Sequence, residues 1–316
     1  MTEGIFQFNR SFRQWLKMYS GVESITLTGE TTFEAISQMI ELFRYQDYKQ
    51  ITIDNLRIKY NGKIGYYKDF LQYCHHTDEP ISPIEKVLAN ATRLKFIVYT
   101  NGNIIETFDR KTLIHIPESS TIKIDENIEI IGNYCCYNYE KLNKLILHNN
   151  IIKIGEYAFH GTEIEELELP DSLIELGENA FDCNNLEKII LSNKLKSIPN
   201  YCFHGCELDE IHIPSSVKNI EYASLVSIYS DNIIIPEGVE RIESYAFGTL
   251  FPDVKVYLPS TLKEIAPDFY YDDIVELNPD PPYIEIDKNN PIFYSKDGTL
   301  YFKSNNKCAI DARYKK

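Results

Sequence analysis

Apolar residues recur with a fixed period along the second part of the chain. From Lys144 onward, five consecutive segments of 22 residues each open with an apolar–x–apolar pair. Such a pair is typical of a short strand that buries its outer residues on one face. The apolar pairs are Leu145/Leu147, Leu167/Leu169, Ile189/Leu191, Ile211/Ile213 and Ile233/Ile235. A second apolar column consists of Ile154, Leu176, Ile198, Ile220 and Ile242. A third, mostly aromatic column consists of Phe159, Phe181, Phe203, Leu225, Phe247 and Phe269.

The residues after the first strand predict how each segment turns. Proline follows the apolar pair directly in several segments, which the interior of a flat sheet does not tolerate but a bending coil does. One 22-residue segment cannot bury its own apolar face, so neighbouring coils must stack. We therefore expect a parallel β-solenoid of about seven coils, with weaker units before and after the central block at Ile122/Ile124, Val256/Leu258 and Val275/Leu277.

The repeat resembles a known family. Residues Ile154–Gly161 (IGEYAFHG) and Cys202–Cys206 (CFHGC) are similar to the signature of BspA-like leucine-rich repeats, over about residues 122–310. The tail Ile284–Tyr301 resembles an element often found in the same arrays. The resemblance implies a leucine-rich-repeat solenoid. It also implies a role in adhesion or protein–protein contact, commonly on cell surfaces.

Residues 1–110 show mixed helix and strand patterns. They predict a small α+β domain that precedes a mainly-β leucine-rich-repeat solenoid with 22-residue coils at 111–316. The 26-residue spacing from Ile25 to Ile51 also fits a strand–helix repeat of a longer leucine-rich type. The local signals are two capping boxes and two hairpin turns: Thr31-x-x-Glu34, Ser82-Pro83-Ile84-Glu85, Asn61-Gly62 and Asn101-Gly102.

Charge is distributed unevenly between these two parts. The chain has a formal net charge of −15, from 32 Lys/Arg and 47 Asp/Glu. Residues 1–110 hold 13 of each kind, so the entire excess of negative charge lies in residues 111–316. A nucleic-acid backbone would be repelled by such a surface. A basic protein or a cation is favoured instead.

The N-terminus and the cysteines bear on localisation. Asn9, Arg10, Arg13 and Lys17 interrupt the apolar residues that a signal peptide would need. No apolar run approaches the roughly 18 residues of a membrane span. We therefore expect an intracellular protein without a membrane span, or a displayed one if the start is truncated. Seven cysteines without paired spacing predict buried free thiols rather than a disulfide framework.

Few residues suggest chemistry. No phosphate-binding loop, His-Glu-x-x-His helix or nucleophile elbow occurs, so no catalytic residue, cofactor or metal site is predicted. Cys74-His75-His76 reads as a helix end, because consecutive helical side chains diverge. His160, Asp182 and His204 share one repeat column. They could meet a metal across adjacent coils, but a loop position that takes any polar residue is favoured.

Two other columns suggest a binding surface. Carboxylates recur at 22-residue steps at Glu165, Glu187, Asp209, Asp231 and Asp253. Like charges on neighbouring strands destabilise a sheet. Solvent, nearby lysines, a cation or a basic partner must therefore offset them. The next column alternates Lys144, Glu166, Lys188 and Glu210, which predicts structural pairing across coils. The middle of the first strand points outward, and its candidate contact residues are Ile146, Ile190, His212, Ile234 and Tyr257, with Glu168 and Glu276 between them.

These features favour a non-catalytic protein-interaction module that presents an acidic, Ile/Tyr-bearing strand face to a protein partner. Two alternatives remain: a cell-surface adhesin of the BspA-like type, and an enzyme or ligand domain in residues 1–110 that the repeats position. An open sheet edge at the end of the array also predicts end-to-end association of copies.

Overall fold

The protein falls into two compact units. A computed structural model describes residues 3–7, 24–36, 50–67, 81–91, 96–101, 103–182, 185–225, 228, 230–248, 250, 254–270 and 282–310. Unit one lies within Met1–Glu118 and Asn127–Asn138, and unit two within Ser119–Glu126 and Tyr139–Lys316. The predicted division at residue 110 stays a prediction.

The described chain consists mainly of short strands. A helix, α1 (Pro83–Asn90), lies between the fourth and fifth of them. In chain order the strands are β1 (Glu3–Gln7), β2 (Ser24–Thr32), β3 (Gln50–Tyr60), β4 (Lys63–Gly65), β5 (Phe96–Asn101), β6 (Ile104–Thr107), β7 (Thr112–His115), β8 (Thr121–Lys123), β9 (Ile130–Ile131), β10 (Lys144–Ile146), β11 (Lys153–Ile154), β12 (Glu166–Glu168), β13 (Glu175–Leu176), β14 (Lys188–Ile190), β15 (Ser197–Ile198), β16 (Glu210–His212), β17 (Asn219–Ile220), β18 (Asn232–Ile234), β19 (Arg241–Ile242), β20 (Lys255–Leu258), β21 (Glu264–Ile265), β22 (Tyr283–Ile286), β23 (Phe293–Lys296), β24 (Thr299–Phe302) and β25 (Cys308–Ile310).

Unit one is a mixed sheet with one described helix segment at 33–36 and the helix α1. β1, β2 and β3 pair in parallel, with Ile25 directly opposite Ile51. β3, β5, β6 and β7 then pair antiparallel. Parallel neighbours need a long crossover between them. The 26-residue step between Ile25 and Ile51 supplies one, as the strand–helix alternative requires.

The local signals of unit one behave largely as predicted. The Ser82 hydroxyl accepts from the Glu85 N–H, and the Glu85 carboxylate accepts from the Ser82 N–H at 2.9 Å, which completes the capping box. Asn61 and Gly62 both have positive φ and join β3 to β4 in a two-residue hairpin. The other predicted cap shifts by one residue. The Thr32 hydroxyl accepts from Ala35, because Thr31 is still buried in β2.

Unit two is a parallel solenoid whose coils follow the predicted columns. The solenoid has about nine turns spaced about 23 residues apart, rather than seven of 22. Within the central block the step is 22 residues, with Leu167 opposite Ile189 and Ile189 opposite Ile211. The step then lengthens to 23 between Ile233 and Val256.

The third column fills the interior of the solenoid. All six of its residues, from Phe159 to Phe269, are fully buried. The Phe159 and Phe181 rings stack with centroids 5.4 Å apart, and Phe181 and Phe203 at 5.9 Å. Each aromatic pair contributes about 0.5–1.5 kcal/mol beyond its buried area. This ring stack therefore links adjacent coils beneath two ladders of paired strands. One ladder consists of the first strands of each coil, and the other consists of the second strands.

The end of the array differs from the prediction. Val275 and Leu277 lie outside the described residues, and the position next to β20 that they were expected to fill belongs to β22, with Ile284 opposite Val256. Because β18 occupies the other edge of β20, the chain has no room there for a further strand. β22 therefore continues the first-strand ladder after a 28-residue step.

A small antiparallel sheet covers β22. The Ile284 N–H donates to the Gly298 carbonyl, and β23, β24 and β25 form a three-stranded meander. The fully buried Asn290 amide donates to the carbonyls of Pro259, Ser260 and Leu262, and its oxygen accepts from Ile292 and Phe293. The meander therefore lies against β22, the last described strand of the first-strand ladder. End-to-end association stays a prediction.

Candidate protein-binding face

The outward residues of the first strands form what we call the strand face. Successive side chains of a strand point to opposite sides. In β10, β14 and β18 the second residue (Leu145, Ile189 and Ile233) is therefore buried. The third residue, which is the middle one of the apolar–x–apolar triplet, is exposed. Ile146 is 37% exposed, Ile190 53% and Ile234 67%, whereas Tyr257 in β20 is half-buried. The strand face comprises these four residues with Glu168, His212 and Glu285.

Strand register determines which of these residues are neighbours. Ile190 lies between Glu168 and His212, because β14 pairs with β12 and β16. Tyr257 lies between Ile234 and Glu285 in the same way. Glu285 thus takes the position that the sequence pattern assigned to Glu276, which lies outside the described residues. Polar and apolar side chains therefore alternate from coil to coil along β12, β14 and β16, as Glu168, Ile190 and His212.

A row of carboxylates runs beside the strand face, and we call it the acid row. Glu165, Glu187, Asp209 and Asp231 each precede a first strand and are exposed. The backbone N–H of Glu187 donates to Glu165 O at 2.9 Å, and that of Asp209 to Glu187 O at 3.1 Å. These three residues are therefore on adjacent coils in register. Asp253 lies outside the described residues, and the buried Val254 follows Asp231 in the ladder, because Lys255 pairs with Asn232.

The carboxylates of this surface are not paired. Within the described residues, the acid row and Glu166, Glu168 and Glu285 have no side-chain hydrogen bond or ion pair. Glu166 and Lys188 are opposite each other as predicted. They nevertheless form no ion pair, so the predicted structural pairing in this column is wrong at this position. Register places their backbones together, but each long side chain can extend into solvent instead.

The second strands carry a different arrangement, which we call the second-strand face. Arg241 Nη2 lies 2.9 Å from the Glu264 carboxylate on the next coil. Glu240 is 2.6 Å from Lys263 and 3.6 Å from Lys218. Lys153 and Glu175 form a further pair. Charges on this face therefore pair across coils.

The column of His160, Asp182 and His204 does come together. Each imidazole Nδ1 lies 3.4 Å from a different oxygen of the Asp182 carboxylate. Burial raises the pKa of Asp182, but hydrogen bonds and charge from both histidines outweigh it, so its pKa lies below the usual range. The hydrogen bond to Asp182 raises the pKa of His204. These contacts form a polar link between adjacent coils. Among the described residues, no group of three potential metal ligands is arranged to hold an ion.

One buried group in unit one was not anticipated. The fully buried Lys86 ammonium donates to the Cys135 carbonyl at 2.7 Å, and burial lowers its pKa. Burial and the Lys86 charge lower the pKa of His115 to about 3. A lysine among apolar positions of a helix gives no sequence signal for such a contact, since long side chains usually reach solvent.

The predicted free cysteines divide into two groups. Cys135, Cys136, Cys202 and Cys206 are buried free thiols, as predicted. Cys308 is an exception because it is exposed on the last strand. Cys74 with its two histidines and Cys183 lie outside the described residues. None of the described thiols lies in a group with three potential metal ligands.

Comparison with known proteins agrees with the repeat fold of the chain. The model of the BspA-type leucine-rich repeat region matches residues 106–230 and 224–278, in six copies. The chain belongs to the BspA-type leucine-rich repeat family. That family is typically non-catalytic, and membership supports a role in protein interaction or adhesion. None of the described helices is long and apolar enough to cross a membrane.

Comparison with solved structures gives similarities of low sequence identity. A leucine-rich repeat protein from Bacteroides ovatus is 17% identical, with 55% of this chain and 74% of that chain covered and a TM-score of 0.28. The pneumococcal vaccine antigen PcpA is 15% identical, covering 65% and 54%, with a TM-score of 0.30. A leucine-rich cell surface protein from Faecalibacterium prausnitzii is 16% identical, covering 49% and 61%, with a TM-score of 0.23. Comparison with curated proteins gives no match.

Proposed function

We propose that the solenoid is a non-catalytic protein-interaction module and that the strand face, with the acid row beside it, contacts the partner. The supporting observation is the exposure of Ile146, Ile190 and Ile234 on a regular surface. Apolar side chains grouped on an exposed face mark interaction sites more often than single ones do. A rigid array of coils also presents such a surface without a large ordering cost.

The enzyme hypothesis has less support. In unit one, a cavity of about 10 Å³ is lined by apolar side chains that include Ile53, Tyr67 and Leu88. That volume holds at most one water molecule, whereas substrate pockets are roughly 300–1,000 Å³. Lys86 and His115 have perturbed pKa values, but their burial alone accounts for much of this.

The adhesin hypothesis and the interaction-module hypothesis both require the strand face to contact a partner. They differ in where the partner is found: inside the producing cell or on a foreign surface. Localisation of the native protein by antibody labelling of intact and permeabilised cells distinguishes them. Labelling of intact cells would favour an adhesin, and labelling that needs permeabilisation would favour an intracellular partner.

The binding test compares two pairs of exposed isoleucines. A variant with Ile190→Glu and Ile234→Glu alters the strand face. A matched control with Ile152→Glu and Ile174→Glu alters isoleucines that are 37% and 49% exposed between the two strands of a coil. We expect affinity capture with mass spectrometry to lose a partner with the first variant and to keep it with the control. A partner lost equally with both variants would contradict the proposal.

A further inference from the structure

The strand face and the second-strand face use the same kinds of charged residue in opposite ways. On the second-strand face, cross-coil ion pairs satisfy the charges. From β10 to β22 the described strand-face and acid-row positions hold six carboxylates, whereas lysines occupy the first position of three of these strands, at Lys144, Lys188 and Lys255. None of those six carboxylates has a side-chain partner among the described residues. Stacked like charges cost free energy, so a cationic partner would relieve it.

The spacing of the two rows limits the shape of that partner. Glu187 lies just before β14, outside the strand alternation, and is exposed, as Ile190 is. The three residues between these positions span at most about 10 Å. Neighbouring coils are about 4.8 Å apart, so carboxylates and isoleucines form two parallel rows along the array axis. An extended peptide, with strands spaced at about 4.8 Å, is too narrow to touch both rows. An α-helix is about 10–12 Å wide with its side chains.

The repeat along the axis also matches a helix. Side chains at positions i, i+4 and i+7 on one edge of a helix lie about 5–6 Å apart. Successive carboxylates of the acid row lie at about the same interval, since Glu165, Glu187 and Asp209 are hydrogen-bonded neighbours. Lysine or arginine at those helix positions can each approach one carboxylate. The exposed isoleucines of alternate coils then meet an apolar stripe next to the basic one.

Resting on the proposed function, we propose that the partner segment is a basic amphipathic α-helix that lies along the array axis. Its basic edge faces Glu165, Glu187 and Asp209, and its apolar stripe covers Ile190 and its neighbours. Lys188 lies between the two rows and accepts an acidic or neutral position of the helix.

A designed peptide tests this proposal with the full chain. The probe is a labelled helix of about 18 residues, about 27 Å long, with a leucine stripe beside a lysine stripe. Fluorescence anisotropy measures its Kd at low salt and at about 0.15 M salt. We expect the combined Glu165→Gln, Glu187→Gln and Asp209→Asn variant to weaken binding about tenfold. A peptide of the same composition with two central prolines should bind at least about tenfold more weakly, because it cannot form the helix.

The control separates a specific site from general attraction to an acidic protein. Glu175→Gln, Glu240→Gln and Glu264→Gln remove the same number of charges from the second-strand face. We expect this variant to keep the affinity of the wild type within about twofold. Equal weakening by both variants, equal binding of the proline peptide, or no binding of the helix would overturn the proposal. Loss of the natural partner with the isoleucine variant alone would still support the proposed function.

Discussion

The two ladders of unit two show how one repeat supports two different surfaces. In the central block both have the same 22-residue step, and both pack over the same buried column of Phe159 to Phe269. On the second-strand face, charges of opposite sign meet across coils, as at Arg241 and Glu264. On the first strands, beside the strand face, Glu166 and Lys188 are likewise directly opposite each other but do not pair. Register alone therefore does not create ion pairs, and an unpaired surface is one that remains available to a partner.

The largest effect should come from the core that both surfaces share. Phe181→Ala removes a ring that stacks on Phe159 and Phe203. We expect a loss of about 3–5 kcal/mol in the free energy of unfolding, measured by urea denaturation. Phe181→Leu is the matched control, because Leu225 fills the same column naturally and is fully buried. We expect Phe181→Leu to lose less, because leucine keeps most of the buried volume. A small loss for Phe181→Ala would show that this column does not join the coils.

The next largest effect should be at the end that both ladders reach. Asn290→Ala leaves buried carbonyls and N–H groups without the hydrogen bonds of the amide. We expect a loss of about 2–3 kcal/mol in unfolding free energy. The exposed neighbour Asn289 provides the control, and Asn289→Ala should change stability by less than about 0.5 kcal/mol. A similar small change for Asn290→Ala would mean that the meander docks without it.

A direct test of the comparison uses two double-mutant cycles. One replaces Arg241 and Glu264 by glutamine, singly and together. The other does the same with Glu166 and Lys188. We expect a coupling free energy of about 0.2–1 kcal/mol for the first pair and about zero for the second, from urea denaturation. Coupling of similar size in both cycles would remove the distinction between the two faces.

The smallest effect should be a pH dependence on the turn between the ladders. The pKa of His204 is raised in the folded state, so its contribution is complete below the unfolded pKa of about 6.5 and is lost as pH rises through the folded value. Asp182 has a lowered pKa, so its contribution is lost as pH falls below about 3.9 through the folded value. Both contributions are present between about pH 4 and 6.5.

Thermal unfolding at pH 5.5 and 8.5 measures this dependence. We expect the Tm of the wild type to fall more between these values than the Tm of His204→Asn, whose side chain cannot titrate. Net charge affects the Tm of both proteins in nearly the same way. The difference between their Tm changes from pH 5.5 to 8.5 therefore reports the contribution of His204. An identical fall in both proteins would show that the Asp182 cluster does not contribute.

Much of the solenoid could be predicted from the sequence, because its interior demands one residue type at one interval. The Phe159-to-Phe269 column and the first-strand register follow directly from that demand. The register was harder to predict where the interval changes. An extra residue before Val256 places Val254 after Asp231 in the ladder, and a 28-residue step places Ile284 beside Val256. Exposed positions at these points have no packing constraint that would reveal the shift.

Polar contacts were harder to predict than apolar ones. The Asn290 contacts join residues about thirty positions apart, and one asparagine in a tail has no period to reveal it. The His160–Asp182–His204 contact could be foreseen as a shared column, but the sequence could not show that each imidazole takes a different oxygen. A lysine is expected to be exposed, but Lys86 is buried and its ammonium donates a hydrogen bond to the Cys135 carbonyl. The sequence gives no sign of that acceptor.

The alternation along the strand face has a consequence for how the array can change by duplication. The backbone repeats after one coil, but the outward side chains Ile146, Glu168, Ile190, His212 and Ile234 repeat only after two. Loss or gain of one coil keeps every buried column intact, but it places two outward isoleucines or two outward polar residues on adjacent coils. Loss or gain of two coils together, which is 44 residues, preserves both the buried columns and the alternation of outward side chains. The inheritable module of the surface is therefore twice as long as the module of the fold.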